Sequence, residues 1–461
     1  MMSSALNAAL ANGTYQIGQN SYLNSPQLLA TLAPRTSDTA TSALSFLSVN
    51  ATRSLVQLPG GPLSVAVGAE GRELTSDNPG EPYAIESDII NAGSSYAEGS
   101  QTVEAAYAEF SAPPVKGLEL DTAARVDHYA DVGTSFTPKF GIKWTPIPEL
   151  ALRGTFARGF RAPGPAENGN GSTGTTTTAP VDPLRCPYTN LPTDCGLASV
   201  AVLSQTNSNL KPERSKSYTV GFVLEPITQT TLTVDFFRIR RDDEIIPEPL
   251  ALATPVRGAQ QPGTDYPGPI IYYAQPYVNA SSSQTAGFDG ELRTRWSLGK
   301  YGAISAGASA TYLTMSQQTF GGGTFQYAGT VGPTAVGGAV GTPRTRGTGD
   351  LQWERGPITL GGFINYRSHM KAIDESTSGA GVCLQFYDTN PNCYIASFTT
   401  GDLFGKYQWS KQLETTLTIT NVTNRLPPLD TATYGGWNYD PSLDQTGAIG
   451  RYFELEAHYH Y

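Results

Sequence analysis

Apolar and polar residues alternate along most of the chain with a period of two, from about residue 43 to the end. In AGFDGELRTRWSL, which begins at Ala286, the residues Phe288, Leu292 and Trp296 fall on one side of an extended chain, and the charged residues between them fall on the other. Successive side chains of a β-strand point to opposite faces, so this period predicts strands with one apolar and one charged face. The same pattern recurs in PLSVAVGAEGRE, GLELDTAARVD and SYTVGFVL.

The connections between the predicted strands alternate between short and long. Short turns such as PGGP (59–62), TPIPE (145–149) and ERGP (354–357) alternate with much longer segments. The long segments are predicted at residues 77–99, 164–209, 246–283, 319–343, 373–396 and 426–446. One link on the long side, DVGTSF (131–136), is short. Strands joined in this way form an up-and-down meander, so we predict an all-β, antiparallel fold of roughly fifteen strands.

The apolar face of these strands suits contact with lipid. The chain has no run of about 18 apolar residues, which excludes a transmembrane helix, but a transmembrane strand needs only about 10 residues with one apolar face. Aromatic residues lie near the strand ends, as they do at bilayer interfaces: Phe140, Trp144, Phe156, Phe160, Trp296, Trp353 and Trp409. The chain also ends on an alternating aromatic strand, GRYFELEAHYHY. We therefore predict a transmembrane β-barrel with short periplasmic turns and long extracellular loops.

A soluble two-layer sandwich is the alternative to this barrel. The solvated face of a sandwich is expected to carry mixed Lys and Glu, because it contacts bulk water. Here the polar face carries Asp, Glu and Arg interleaved with Gly and Thr, which favours the barrel.

Composition and charge argue against two other classes of protein. The chain has 49 Gly, 33 Pro and 24 Tyr with only 15% charged residues, which is typical of strands joined by turns. Its formal net charge of −10 argues against a nucleic-acid binder, which needs a basic face for phosphates. Four histidines are present, at positions 128, 369, 458 and 460, and no nucleophile motif or phosphate-binding loop accompanies them. We predict no enzyme activity, no catalytic residue, no cofactor and no metal site.

The four cysteines form two close pairs, Cys186 with Cys195 and Cys383 with Cys393. Each pair flanks a segment rich in Pro, Asn, Asp and Thr with no nearby His, which favours a disulfide-closed loop over a zinc site. Free thiols are the alternative. Disulfides persist in oxidising compartments, so this pairing predicts loops on the outside of the cell.

Several blocks of sequence occur in a fixed order. They are DHYADVGTSFTPKFGIKWTPIPELALRGTFARGFRAP (127–163), NSNLKPERSKSYTVGFVLEP (207–226), LTVDFFRIRRDDEI (232–245), NVTNRLPP (421–428), and YDPSL with the final GRYFELEAHYHY. In this order they resemble the TonB-dependent receptors, outer-membrane active transporters for scarce ligands, over most of the chain after residue 55. Within this resemblance GTFARGFRAP is a strand that runs into an extracellular loop, with Arg153 towards the lumen and Pro163 ending the ladder.

The resemblance implies a larger architecture than the blocks fill. Complete members have a barrel of about 22 strands, a globular plug and a segment that engages TonB. This chain shows no region resembling a plug or a TonB box, so we expect residues 43–461 to be the C-terminal portion of the barrel, after a loop-like N-terminal segment at residues 1–42. We also expect the chain to be a truncated product. The implied partners are outer-membrane lipid, the TonB complex, the barrel assembly machinery through the last strand, and an unidentified small ligand.

The charged residues of the polar face are the candidate site residues. The resemblance places them in the lumen, where they would hold a plug or line the ligand path. They are Glu70, Arg72, Arg125, Asp127, Arg153, Asp289, Glu291, Arg293 and Arg295. The alternative is that they only pair with one another across neighbouring strands. The expected function is TonB-dependent uptake of a scarce ligand; a passive pore or a surface-binding barrel without energy coupling is the alternative.

Overall fold

The chain folds almost entirely into β-strands. The computed structural model describes residues 2–460 except 36, 38, 81–94, 179, 198, 251, 261, 332–340, 372–393, 430–438 and 441. The strands in this part are β1 Thr41–Leu58, β2 Gly61–Asn78, β3 Ser95–Val115, β4 Leu118–Tyr129, β5 Gly133–Ile147, β6 Leu150–Arg161, β7 Asn170–Thr178, β8 Ser199–Gln205, β9 Glu213–Ile227, β10 Thr230–Pro247, β11 Thr254–Arg257, β12 Ile270–Ser297, β13 Ala303–Phe320, β14 Gly323–Gln326, β15 Thr345–Arg355, β16 Ile358–Arg367, β17 Met370–Lys371, β18 Tyr394–Ile395, β19 Phe398–Gln408, β20 Leu413–Thr420 and β21 Tyr452–Tyr459.

Short helices lie outside the main sheet. They are α1 Ser3–Ala11, α2 Pro26–Leu32, α3 Pro165–Asn168, α4 Cys186–Thr189 and α5 Gln445–Ile449, with 3-10 turns at Gly18–Leu23 and Gly299–Tyr301. The N-terminal segment at residues 1–42, predicted to be loop-like, therefore carries α1 and α2. Among the described residues, none of these helices has the length and apolarity needed to span a bilayer.

Fifteen strands pair in an antiparallel meander within the described chain. Their order is β1, β2, β3, β4, β5, β6, β9, β10, β12, β13, β15, β16, β19, β20 and β21. Tight connections such as Pro59–Gly60 and Gly356–Pro357 alternate with long ones, as the sequence predicts. The predicted antiparallel fold of roughly fifteen strands is confirmed.

Two predicted connections are wrong in part. The connection predicted at residues 77–99 ends earlier, because β3 begins at Ser95. Residues 246–283 are predicted as a long connection, but β10 runs to Pro247 and β12 begins at Ile270. β12 has 28 residues, or roughly 90 Å of extended chain, several times what a bilayer needs. Its first part pairs with β11 and, in parallel, with β8. The sequence of this part has no regular alternation, so the period of two does not predict it as a strand.

The antiparallel register assigns every strand residue to one of two faces. Directly opposite residues share a face, and the pairs Tyr107 with Arg125 and Asp235 with Asp289 lie on a polar face. The other, apolar face carries predicted aromatic residues, namely Phe140, Trp144, Phe156, Trp296 and Trp353. Two differ in position: Phe160 contacts Tyr129 with ring centroids 5.5 Å apart, and Trp409 follows the end of β19 and contacts Tyr407 at 4.5 Å.

At the end of the sheet that carries the long connections, two loop segments are cross-linked. We call residues 181–197 and 254–268 the cross-linked loops. Cys186 and Cys195 form a disulfide, as predicted. The second predicted pair, Cys383 and Cys393, lies outside the described residues. The Arg257 guanidinium makes two hydrogen bonds to the Asp182 carboxylate, at 2.7 and 3.0 Å. This pairing, with the backbone N–H of Leu184, holds the pKa of Asp182 below its ordinary value.

Removing the disulfide should make the cross-linked loops more mobile without affecting the pairing of the main strands. A nine-residue separation between bonded cysteines corresponds to about 2–3 kcal/mol of stability by the chain-entropy argument. We expect the double variant Cys186→Ser, Cys195→Ser to show faster protease cleavage between residues 180 and 200, with unchanged far-UV circular dichroism of the strands. The wild-type protein treated with reductant should cleave like the variant. Equal cleavage rates in variant and oxidised wild type would contradict the expectation.

Candidate functional site

The polar face of the sheet brings the predicted charged residues together on one surface. The register places all nine candidates on this face, on β2, β4, β6 and β12. This follows from alternation, because a shift of one residue would move every side chain to the other face. Except for Asp289, each candidate makes an ion pair within the described chain.

Four of the candidates form one cluster on β2 and β4. The Glu70 carboxylate lies 3.4 Å from both the Arg72 and the Arg125 guanidinium. Arg125 also donates to Asp127 at 2.8 Å, and Arg72 donates to the Tyr129 hydroxyl at 3.1 Å. The cluster is half-buried apart from Asp127, which is buried. The two carboxylates and two guanidinium groups neutralise one another, so the cluster is a network that links β2 and β4 on the polar face.

A second group lines a cavity of about 760 Å³ on the polar face. Residues from β6, β10, β12, β13, β15, β16 and β19 all line this one cavity, so the sheet is concave on its polar side. Arg153 makes two hydrogen bonds to Asp235, one of them 2.8 Å long. Asp289 accepts a hydrogen bond of 2.6 Å from the Thr311 hydroxyl. Glu291 also lines the cavity and pairs with Arg293.

Two predicted residues lie on the polar face away from this cavity. Arg295 pairs with Glu354 at 2.9 Å and donates to Ser305 at 3.2 Å, near the short turns. Arg293 is highly exposed and contacts Glu291 on its own strand. The nine candidates thus divide into a network on β2 and β4, a cavity lining, and a group near the short turns.

Further residues at and around this cavity are not among the nine candidates. Arg367, at the end of β16, makes two hydrogen bonds to Asp444, one of them 2.7 Å long, and both side chains are buried. Arg367 also donates to the Ala396 carbonyl at 2.8 Å. Asp440 accepts from the Ser442 hydroxyl and backbone N–H, at 2.6 and 2.8 Å. These contacts hold the connection before β21 over the cavity.

Strand alternation would have found Arg346 and Asn365, which lie on the polar face and line the cavity. It would not have found Asp444, because that residue follows an irregular connection 77 residues after Arg367. Leu443 beside it lines the cavity and packs on a small cluster of Val331, Met370 and Ile395. The last long connection is therefore anchored by both an ion pair and apolar contacts.

Two blocks singled out in the sequence meet where β6 ends and β9 begins. Arg161, from FRAP, donates to Glu167 at 2.8 and 3.0 Å and to Glu213, from LKPE, at 2.6 Å. The same Glu213 oxygen accepts from the Ile245 backbone N–H at 2.9 Å. Arg161, Glu213 and the Ile245 backbone thus connect the ends of β6, β9 and β10. They fix the base of the connection at residues 162–212.

The arrangement has the chemistry of a binding surface. The cavity combines paired charges with hydroxyl groups of Thr233, Ser309, Thr348 and Thr400. Among the described residues, His, Cys, Asp and Glu form no group of three or more that could hold a metal ion.

Comparison with known proteins gives one family. The family model described as TonB dependent receptor-like, beta-barrel, matches residues 3–424. No curated protein sequence matches the chain.

Solved structures give the same fold. The siderophore receptor PirA from Acinetobacter baumannii is 16% identical, over 92% of this chain and 56% of that chain, with a TM-score of 0.60. The ferric enterobactin receptor PfeA from Pseudomonas aeruginosa, in complex with BCV-L6, is 16% identical over 91% of this chain and 54% of that chain, with a TM-score of 0.60. PirA from Pseudomonas aeruginosa is 15% identical over 92% and 57%, with a TM-score of 0.56. The chain spans about half the length of these receptors.

Proposed function

We propose, since this chain belongs to the family of TonB-dependent receptors, that it forms the ligand-binding wall of a transporter that takes up a scarce ligand. The family consists of receptors and transporters in the outer membrane of Gram-negative bacteria, and this chain is an outer-membrane protein. The observation that carries the proposal is the open polar cavity of about 760 Å³, which is lined by residues of seven strands and of the last long connection. Its lining is suited to holding a polar ligand between a membrane-spanning wall and an anchored loop.

The edges of the sheet support a role within a larger barrel. Among the described residues β1 pairs only with β2, and β21 pairs only with β20. In a meander of fifteen strands the first and last run in the same direction, so pairing β1 with β21 would require a parallel seam. Unpaired backbone groups in hydrocarbon cost several kcal/mol each. We propose that further antiparallel strands complete the barrel between these two edges.

The ligand and the partners of uptake are part of the proposal. The similar structures bear the names of siderophore receptors, and the cavity carries Arg346 and Arg367 together with Asp235 and Asp289. We propose a small polar ligand that exchanges hydrogen bonds with both signs of charge. Energy would come from the TonB complex, and the barrel assembly machinery would recognise β21.

Filling the cavity should abolish ligand binding. Asn365 lines the cavity on the polar face, and its neighbour Ile364 lies on the apolar face. We expect Asn365→Trp, in a receptor whose barrel is completed by the further strands, to lower TonB-dependent uptake at least tenfold. Ile364→Trp should leave uptake within twofold, because only the indole at position 365 occupies the ligand volume. Uptake is measured with a radiolabelled panel of ferric siderophores and cobalamin in cells with and without TonB. Equal uptake by both variants would contradict the proposed site.

A passive pore or a surface-binding barrel is the second candidate. The polar face of the sheet favours it, since a water-filled lumen without a plug conducts ions. Conductance in planar bilayers separates the two functions. A wall with two unpaired edges should give no stable channel by itself, whereas a passive pore should give steady, voltage-independent conductance.

A further inference from the structure

One row of side chains crosses the polar cavity from β10 to β16, with one residue on each strand. In the register Asp235 of β10 lies directly opposite Asp289 of β12, and Asp289 lies directly opposite Thr311 of β13. The row continues with Arg346 of β15, opposite Thr311, and with Arg367 of β16, opposite Arg346. All five residues line the cavity. We call them the charge row.

The two signs of charge are separated along the charge row. Its two carboxylates are neighbours, its two guanidinium groups are neighbours, and Thr311 lies between the two kinds. Like charges directly opposite each other destabilise a sheet, whereas opposite charges stabilise it. A wall that served only its own stability would therefore alternate the signs. The separation indicates that the row has a further role.

The outer charge at each end of the row is neutralised by a residue outside the row. Arg153 makes two hydrogen bonds to Asp235, and Asp444 accepts two hydrogen bonds from Arg367. Each of these pairs is neutral as a unit. The ends of the row therefore present no net charge to a ligand.

The two inner charges, Asp289 and Arg346, have no such partner. Neither residue makes an ion pair within the part of the chain that the structure describes, and both side chains are exposed. Asp289 accepts a hydrogen bond of 2.6 Å from the Thr311 hydroxyl, which does not compensate its charge. Two spacings between neighbouring strands separate the inner residues, or about 10 Å. The cavity thus offers one uncompensated negative group and one uncompensated positive group at this separation.

We propose that the cavity binds a zwitterionic ligand, with its cationic group on Asp289 and its anionic group on Arg346. This inference rests on the proposed binding function of the cavity and adds the charge and the length of the ligand. An ammonium group donates to a carboxylate, and a guanidinium group binds a carboxylate with two parallel hydrogen bonds. An extended chain of three amino acids, at about 3.3 Å per residue, places its terminal ammonium and carboxylate about 10 Å apart. A ligand with the termini of a short peptide fits this spacing.

A ligand of one charge fits the row less well. An anion on Arg346 leaves Asp289 uncompensated, and a cation on Asp289 leaves Arg346 uncompensated. Between the two charges lies Thr311, and the next row of the cavity wall carries Ser309 and Thr348. Their hydroxyl groups both donate and accept hydrogen bonds, which suits the amide groups of a peptide backbone.

The test uses trialanine with free termini, with an acetylated N-terminus, and with an amidated C-terminus. Each modification removes one charge and keeps the rest of the peptide. The chain and its variants, folded in detergent micelles, are titrated with each form. A hydrogen bond between charged groups contributes about tenfold to affinity, so either modification should raise the Kd of the wild type about tenfold. In Asp289→Asn acetylation should change the Kd by less than about twofold while amidation keeps its effect, and in Arg346→Gln the two responses should be exchanged.

Asp121 and Lys139 provide the matched controls, because they lie on the polar face of β4 and β5 outside this cavity. Asp121→Asn and Lys139→Gln remove the same signs of charge from the same face, and both modifications should keep their tenfold effect in these variants. If Asp289→Asn and Arg346→Gln weakened the binding of all three forms equally, the two residues would belong to the fold and the proposal would be overturned. No binding of unmodified trialanine, or equal Kd values for the three forms in the wild type, would also overturn it.

The outcome of this test is separate from the outcome for transport. Charge-selective binding of trialanine by a receptor without TonB-dependent uptake would support the zwitterionic ligand and contradict the proposed uptake. Uptake that Asn365→Trp abolishes, but that Asp289→Asn and Arg346→Gln leave unchanged, would support the uptake and overturn the zwitterionic ligand.

Discussion

Replacing Asp444 with asparagine is expected to release the last long connection from the cavity. Arg367 is 5% exposed and Asp444 is 0% exposed, and removing one partner of a buried ion pair leaves the other charge uncompensated. Such a change typically costs about 3–5 kcal/mol. Amide hydrogen exchange measures it directly. The backbone N–H groups of Asp444, Gly447 and Gly450, which donate to carbonyls of the same segment, should lose at least about a hundredfold in protection.

The matched control for this variant is Asp289→Asn. Asp289 is a carboxylate on the cavity wall that accepts a hydrogen bond from the neutral Thr311 hydroxyl, and an asparagine can still accept that bond. We expect little change in exchange for it, about 1 kcal/mol or less. The double variant Arg367→Leu, Asp444→Leu should recover much of the protection, because it leaves no buried charge. Similar losses for Asp444→Asn and Asp289→Asn would show that the ion pair does not anchor the connection.

The strands could be predicted from the sequence where their two faces have different surroundings. Where one face contacts lipid and the other a polar lumen, the side-chain period of two is written into the sequence. Strand β4 is an example, since Leu120 and Val126 lie on one face and Arg125 and Asp127 on the other. The same condition explains why the nine candidates share a face.

Alternation disappears where both faces contact protein or water. Residues 270–283 of β12 pair with β8, β10, β11 and β13. The sequence there, IIYYAQPYVNASSS, has no strict period, so the prediction of a connection was wrong for these residues. The extent of a strand outside the membrane is set by pairing with loops, which a local pattern does not record.

Contacts between distant segments were also beyond the sequence. The Arg367 to Asp444 pair spans 77 residues. The pairing of Arg158 with Lys216 depends on the register between β6 and β9, which residues 162–212 separate in the chain. Alternation gives the face of Arg158 and of Lys216, but only the register shows that they lie directly opposite each other. The face on which each charged residue lies could therefore be predicted from the sequence, but its partner on the neighbouring strand could not.

An arginine introduced on the apolar face of β9 should destabilise the protein, whereas an arginine on the polar face should have little effect on stability. Val220 lies on the apolar face between Gly154 and Phe236, near the middle of the apolar band, and it is 63% exposed. Arginine at the midplane of a lipid-facing strand costs about 2–4 kcal/mol. Thr219 lies next to it on the polar face, beside a hollow of about 580 Å³ that Asp235 also lines. Arginine fits there in water and near a carboxylate, so we expect Thr219→Arg to change stability by less than about 0.5 kcal/mol.

The measurement is folding into lipid vesicles, followed by tryptophan fluorescence over a urea titration, with the free energy of unfolding compared between the two variants. Val220→Arg should unfold at lower urea, and the difference should shrink when detergent micelles replace vesicles, because micelles deform around a charge more readily than a bilayer does. The two substitutions add the same charge and volume to adjacent residues, so any shared loss reflects the strand itself and any difference reflects the solvent. Equal unfolding free energies would mean that both faces of the sheet contact water, which would contradict a membrane position of these strands.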